Sequence, residues 1–214
     1  MRPVAATRMA LFALGFLSIG TQVSLLREFM MIFGGNELLL GVLLSFWMLE
    51  TGAGALLGRY LPPSGNPHRV AILMGTAGLL PPLMFHSLAL SRAFLVPYGA
   101  MPELSVTTSV ALLAALPFCL LNGYIFIALS LCPSAGTPGS SYAWESLGSL
   151  ASGAPVILLF TWLPGTETGI WLLTGVYMAM VALWTVSMTG LRFAFPWVAL
   201  LTVMLLLAHR REGA

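Results

Sequence analysis

QVSLLREFMMIFGGNELLLGVLLSFWMLETGAGALLG, residues 22–58, decides the fold class. Two apolar runs flank a Gly34-Gly35-Asn36 break, and each continues far enough to cross a bilayer, which takes about 20 mostly apolar residues. Inside these runs lie Gln22, Glu28, Glu37, Glu50 and one basic residue, Arg27. Ionisable groups are costly in hydrocarbon, so those a membrane helix carries face protein, a cavity or the interface. The stretch therefore describes membrane helices with inward-facing polar groups, around which the rest of the chain packs.

Composition outside this stretch agrees. The 214 residues are 58% hydrophobic and 7% charged, against about a quarter charged in soluble domains. All nine basic residues are Arg and all seven acidic ones Glu; Lys and Asp are absent. A net charge of +2 with no basic, aromatic-interleaved run excludes a nucleic-acid partner. Cys119 and Cys132 fall along one expected helix, roughly 20 Å apart at 1.5 Å per residue, too far for a disulfide within the chain. Arg2 and Arg8 precede an apolar run as in a secretory signal, but no A-x-A cleavage pattern follows, so this is read as a retained first span.

The expected spans are 9–32, 38–58, 70–90, 105–131, 142–163, 168–189 and a short 193–208. Breaks at 34–36, 62–67, 132–141 and 164–167 carry Gly, Pro, Ser or Asn, the chemistry of turns. The expectation is one all-α integral-membrane domain, 1–214, a polytopic bundle of six or seven spans. With seven, Arg2, Arg8, Arg59, Arg69 and Arg192 share one side against Arg92, Arg210 and Arg211, which places the N-terminus inside; six would bring the C-terminal Arg pair inside as well. Trp162, Trp171 and Trp197 fall near span ends, as interfacial anchors do.

Glu50 is the deepest charge. Gly54 and Gly58 follow at intervals of four, a small-residue stripe on which another helix can close, with Phe46 and Trp47 above it. Glu50 then points into the bundle, either as a solute or proton site or as a structural hydrogen-bonding group. Arg27 and Glu28 diverge by about 100° on their helix, which leaves Glu37 as the expected partner of Arg27 in an interfacial ion pair. Gly15, Ser18 and Gln22 form a second small-polar stripe. In YAWESLGSLASGAP, from residue 142, Glu145, Gly148, Ser149 and Ser152 share a face, and Gly153 follows. Aligning Glu50 with Glu145 brings Gly58 onto Gly153, an internal repeat that would pair span two with span five. Three spans per unit would make the units inverted, as in several transporter folds. Pro81-Pro82, with His86 a turn later, and Pro117 followed by Asn122-Gly123 are places where a helix can kink or open. The candidate intramembrane polar site is thus Glu50, Glu145, Gln22 and Asn122. Neither a metal-ligand cluster nor a nucleophile constellation nor a phosphate-cradling loop stands in the sequence, so no cofactor or metal is expected.

QVSLLREF (22–29), GNEL (35–38), GVLLSFW (41–47), GAGALLG (52–58) and YAWESLGSLASG (142–153) resemble the N-terminal membrane module of bacterial spermidine synthase-like fusion proteins. The resemblance covers the first 60 residues and one later segment; elsewhere only hydropathy agrees. In that family a soluble Rossmann-like aminopropyltransferase domain follows the module. These 214 residues contain no glycine-rich strand-turn-helix and no Asp at all, hence no catalytic Asp, so the resemblance implies kinship without catalysis.

The expectation is a non-enzymatic, multi-pass protein of the bacterial inner membrane. It would act as membrane subunit or anchor for a separately encoded soluble protein, or as a homo-oligomer. The alternative is a small permease for a cationic solute such as a polyamine, using Glu50 and Glu145.

Overall fold

The computed structural model describes residues 2–33, 37–61, 66–95, 103–162 and 166–189. Among them are six long helices: α1 (Arg2–Phe33), α2 (Glu37–Tyr60), α3 (Pro67–Leu95), α4 (Leu104–Ser130), α5 (Pro138–Trp162) and α6 (Thr166–Thr189). A short 3-10 turn, Pro133–Ala135, lies between α4 and α5. The described residues contain no strand. Among the described residues five of these helices, α1 to α4 and α6, are long and apolar enough to cross a membrane, where six or seven spans were expected. The expected span at 193–208 lies outside the described residues.

Every helix begins ahead of its expected span, α1 to α3 also run past its end, and the helices pass through their prolines. Pro81-Pro82 in α3 and Pro117 in α4 are helical, and α4 continues through Asn122-Gly123. Hydroxyls along the helices return to the carbonyl one turn back: Ser24 to Gly20 at 2.7 Å, Ser45 to Gly41 at 2.7 Å and Thr185 to Val181 at 2.8 Å. Such bonds keep polar side chains satisfied within one helix, which a bilayer demands.

Two helix pairs are packed backbone to backbone. On α2, Gly54 lies against the Leu120 carbonyl of α4, and Gly123 of α4 lies against the Thr51 carbonyl of α2. On α1, Gly15 lies against the Glu145 carbonyl of α5, and Gly148 of α5 against the Phe12 carbonyl of α1. A β-carbon at any of the four would strike the facing backbone, so glycine alone permits this approach. The buried face of α2 is Leu39, Leu43, Trp47, Glu50, Gly54 and Gly58, the stripe expected from the sequence.

These pairs are related. Exchanging α1 with α4, α2 with α5 and α3 with α6 turns α2–α4 into the α1–α5 pair and α1–α6 into α3–α4, while α3–α6 maps onto itself. The lesser contacts α1–α3 and α5–α6 have no counterpart of similar extent. Direction is equally informative. Thr7 at the start of α1 bonds Ser134 beyond the end of α4 at 2.6 Å, and Ser18 midway along α1 bonds Asn122 midway along α4; the two helices are antiparallel. Likewise Met74 and His86 of α3 meet Tyr177 and Trp171 of α6 in reverse order. The two three-helix units are therefore inverted relative to each other, as expected for an internal repeat of three spans.

One part of the expected alignment is corrected. Gly58 does answer Gly153, since they meet Ile127 and Ile19 of the equivalent helices. At the closest approach, however, Gly148 answers Gly54 and Glu145 answers Thr51, not Glu50. One more residue separates the two glycines in α5 than in α2, and it is absorbed between the contacts.

Candidate functional site

The Gly-packed pairs α1–α5 and α2–α4 leave a cleft of about 320 Å³ between them, within the range of small-molecule sites. Its lining repeats the internal symmetry. Leu14 of α1 corresponds to Asn122 of α4, Ser18 to Phe126, Met48 of α2 to Tyr142 of α5, and Thr51 to Glu145; all eight line the cleft. The cleft thus straddles the relation between the two units, where transporters built from inverted repeats hold their solutes.

Symmetry of position is not symmetry of chemistry. Glu145 is the one charged residue in the lining among the described residues. It is half-buried, and one of its oxygens accepts a 3.3 Å hydrogen bond from Ser149. The backbone contact between α5 and α1 fixes its height in the cleft, because Gly15 packs on its own carbonyl. Asn122 is buried, 6% exposed, and its amide nitrogen donates to Ser18 Oγ at 3.2 Å. Its Oδ1 has no partner, nor has the Thr51 hydroxyl. A buried acceptor left unpaired costs about 1–3 kcal/mol; both residues line the cleft, but these two oxygens are themselves buried from solvent. Around them stand Trp47, Phe126 and Tyr142, the last two with ring centroids 4.9 Å apart. The chemistry on offer is acceptors, one carboxylate and aromatic faces.

The other expected site residues sit elsewhere. Glu50 is buried on α2 but turned from the cleft toward Cys119 of α4. Gln22 is half-buried on α1, outside the cleft lining. Arg27 and Glu28 are half-buried near the end of α1; Glu37 is exposed in the first turn of α2, where a carboxylate complements the helix dipole. Ser149 and Gly148 pack on α1, and Gly54 and Gly58 on α4. Of the four residues expected to form the polar site, Asn122 and Glu145 are brought together. Thr51, Met48, Phe126 and Tyr142 were not singled out from sequence. Thr51 had a signal, a hydroxyl beside Glu50 on the next helical face; an aromatic in an apolar helix reads the same whether it faces lipid or a cleft.

Comparisons of the chain with protein-family models, with curated proteins and with solved structures returned no match.

Proposed function

We propose that this chain is a non-enzymatic, multi-pass protein of the bacterial inner membrane that binds a small cationic amine, such as a polyamine, between its two halves and carries it across. One observation carries the reading: a cleft at the junction of inverted three-helix units, lined among the described residues by a single carboxylate, the polar residues Asn122 and Thr51, and aromatic walls. An ammonium group supplies what these lack. Its positive charge balances Glu145, and its alkyl stem lies against Trp47, Phe126 and Tyr142, whose faces attract cations. The reading has six spans, with α5 crossing; its support is that α5 packs on α1 as α2, an apolar span, packs on α4.

The test is amine titration of the purified protein in lipid nanodiscs, followed by thermal unfolding and calorimetry. Spermidine or putrescine should stabilise it, by about 2.7 kcal/mol at a concentration 100 times the dissociation constant. An isosteric neutral diol should not, and Glu145→Gln should remove the effect while the protein still folds. Equal responses to amine and diol would sink the reading.

A second reading, membrane subunit of a soluble aminopropyltransferase-like partner, draws on the resemblance at 22–58 and 142–153. Capture from native membranes in mild detergent separates the two: a stoichiometric soluble protein favours the subunit.

A further inference from the structure

Tyr142 and Glu145 stand three residues apart on α5, a spacing that puts them on one helix face, and both line the cleft. The ring of Phe126 on α4 meets that of Tyr142 with 4.9 Å between centroids and 56° between planes, so the two form a corner and not a flat stack. Trp47 of α2 is a third aromatic in the lining, packed on Phe118 at 5.5 Å between centroids. Leu14, Met48 and Ala55 add apolar wall. Acceptors are scarcer than the residue types suggest. Asn122 Oδ1 and Thr51 Oγ are shut inside the helix packing, and Ser18 Oγ already accepts from the Asn122 amide at 3.2 Å. Among the described residues that leaves the Glu145 carboxylate and the Tyr142 hydroxyl as side-chain acceptors for a ligand.

A primary ammonium carries three N–H donors that point apart. One carboxylate meets one or two of them. The rest turn toward apolar wall, where a donor stripped of water and left unpaired costs binding free energy. A quaternary ammonium has no N–H to satisfy. Its charge is attracted by ring faces and by one carboxylate, and its methyl groups pack on apolar side chains. We infer that the cation this cleft selects is a quaternary ammonium, with a trimethylammonium head seated in the Phe126–Tyr142 corner beside Glu145. The cleft, at about 320 Å³, has room for such a head. This selectivity rests on the cation-binding function proposed above and narrows its substrate class. Primary amines, polyamines included, bind the same carboxylate more weakly.

Calorimetry on the full chain in nanodiscs tests it with three probes: choline, its primary-amine counterpart ethanolamine, and 3,3-dimethylbutanol, in which carbon replaces the charged nitrogen. Choline should bind about tenfold more tightly than either, or better. Tyr142 is 61% exposed, so Tyr142→Leu removes a ring without opening the core. It should weaken choline by about tenfold and shrink its preference over ethanolamine, whereas Tyr142→Phe should keep both. Glu145→Gln should weaken choline and ethanolamine and leave dimethylbutanol unchanged. Should Tyr142→Leu fail to fold, the ranking of the three probes on the wild type decides. Ethanolamine or putrescine bound as tightly as choline overturns the quaternary selectivity and leaves the amine carrier standing. Dimethylbutanol matching choline, or no cation bound at all, ends both. A choline preference untouched by Tyr142→Leu and by Glu145→Gln puts the cation outside this cleft and overturns the assignment.

Discussion

Asn122 and Leu14 occupy equivalent positions in the two units, yet one is polar and unsatisfied and the other apolar. The single hydrogen bond Asn122 makes, to Ser18, adds little; such bonds between membrane helices average about 0.6 kcal/mol. Its free Oδ1 costs more than that bond returns. A group kept against stability points to a ligand. Asn122→Leu, which copies the residue of the other unit, should leave thermal stability within about 1 kcal/mol of wild type or raise it. The same variant should lose most of its amine-induced stabilisation. Marked destabilisation with normal amine response would assign Asn122 to structure instead.

At the scale of elements, two tightly packed helix pairs, α1–α5 and α2–α4, flank the cleft, with α3 and α6 packed on α4 and α1. Each pair takes one helix from each unit, and each closes on reciprocal glycines. Filling one of those contacts forces two backbones apart. Gly54→Val or Gly148→Val should therefore destabilise by about 1–3 kcal/mol or more, as overpacking does. Gly41, on the same α2 helix, has nothing within 4 Å of an added β-carbon. Gly41→Ala should be neutral or stabilising by roughly 0.5–1 kcal/mol through helix propensity. Thermal melts of the three variants side by side check the contrast; equal losses at Gly41 and Gly54 would show that the glycine contacts do not hold the pair.

For the whole molecule, the question is whether α5 crosses the bilayer. Thr137 precedes α5 and Glu167 opens α6. With Cys119 and Cys132 replaced by alanine, Thr137→Cys and Glu167→Cys should react with a membrane-impermeant thiol reagent from opposite sides of sealed vesicles. Reaction from one side would reduce the count to five and remove the inversion in the membrane. Hydropathy among the described residues marks five helices and not α5. Much of the fold was nevertheless legible in the chain. A bilayer requires every backbone polar group to be satisfied within its own segment, so long apolar runs with almost no charge determine helices, and the spacing Glu50, Gly54, Gly58 determines which face of α2 is buried. The alignment of Glu50 with Glu145 picked out the two helices that carry reciprocal glycine contacts, but not their register. What the sequence could not contain was depth and direction between helices. Glu50 and Glu145 look equivalent along the chain, but one added residue in α5 turns Glu145 into the cleft while Glu50 faces Cys119. A rotation of about 100° per residue separates a cleft-facing carboxylate from a sealed one, and only the packing of α1 on α5 and of α2 on α4 decides which is which.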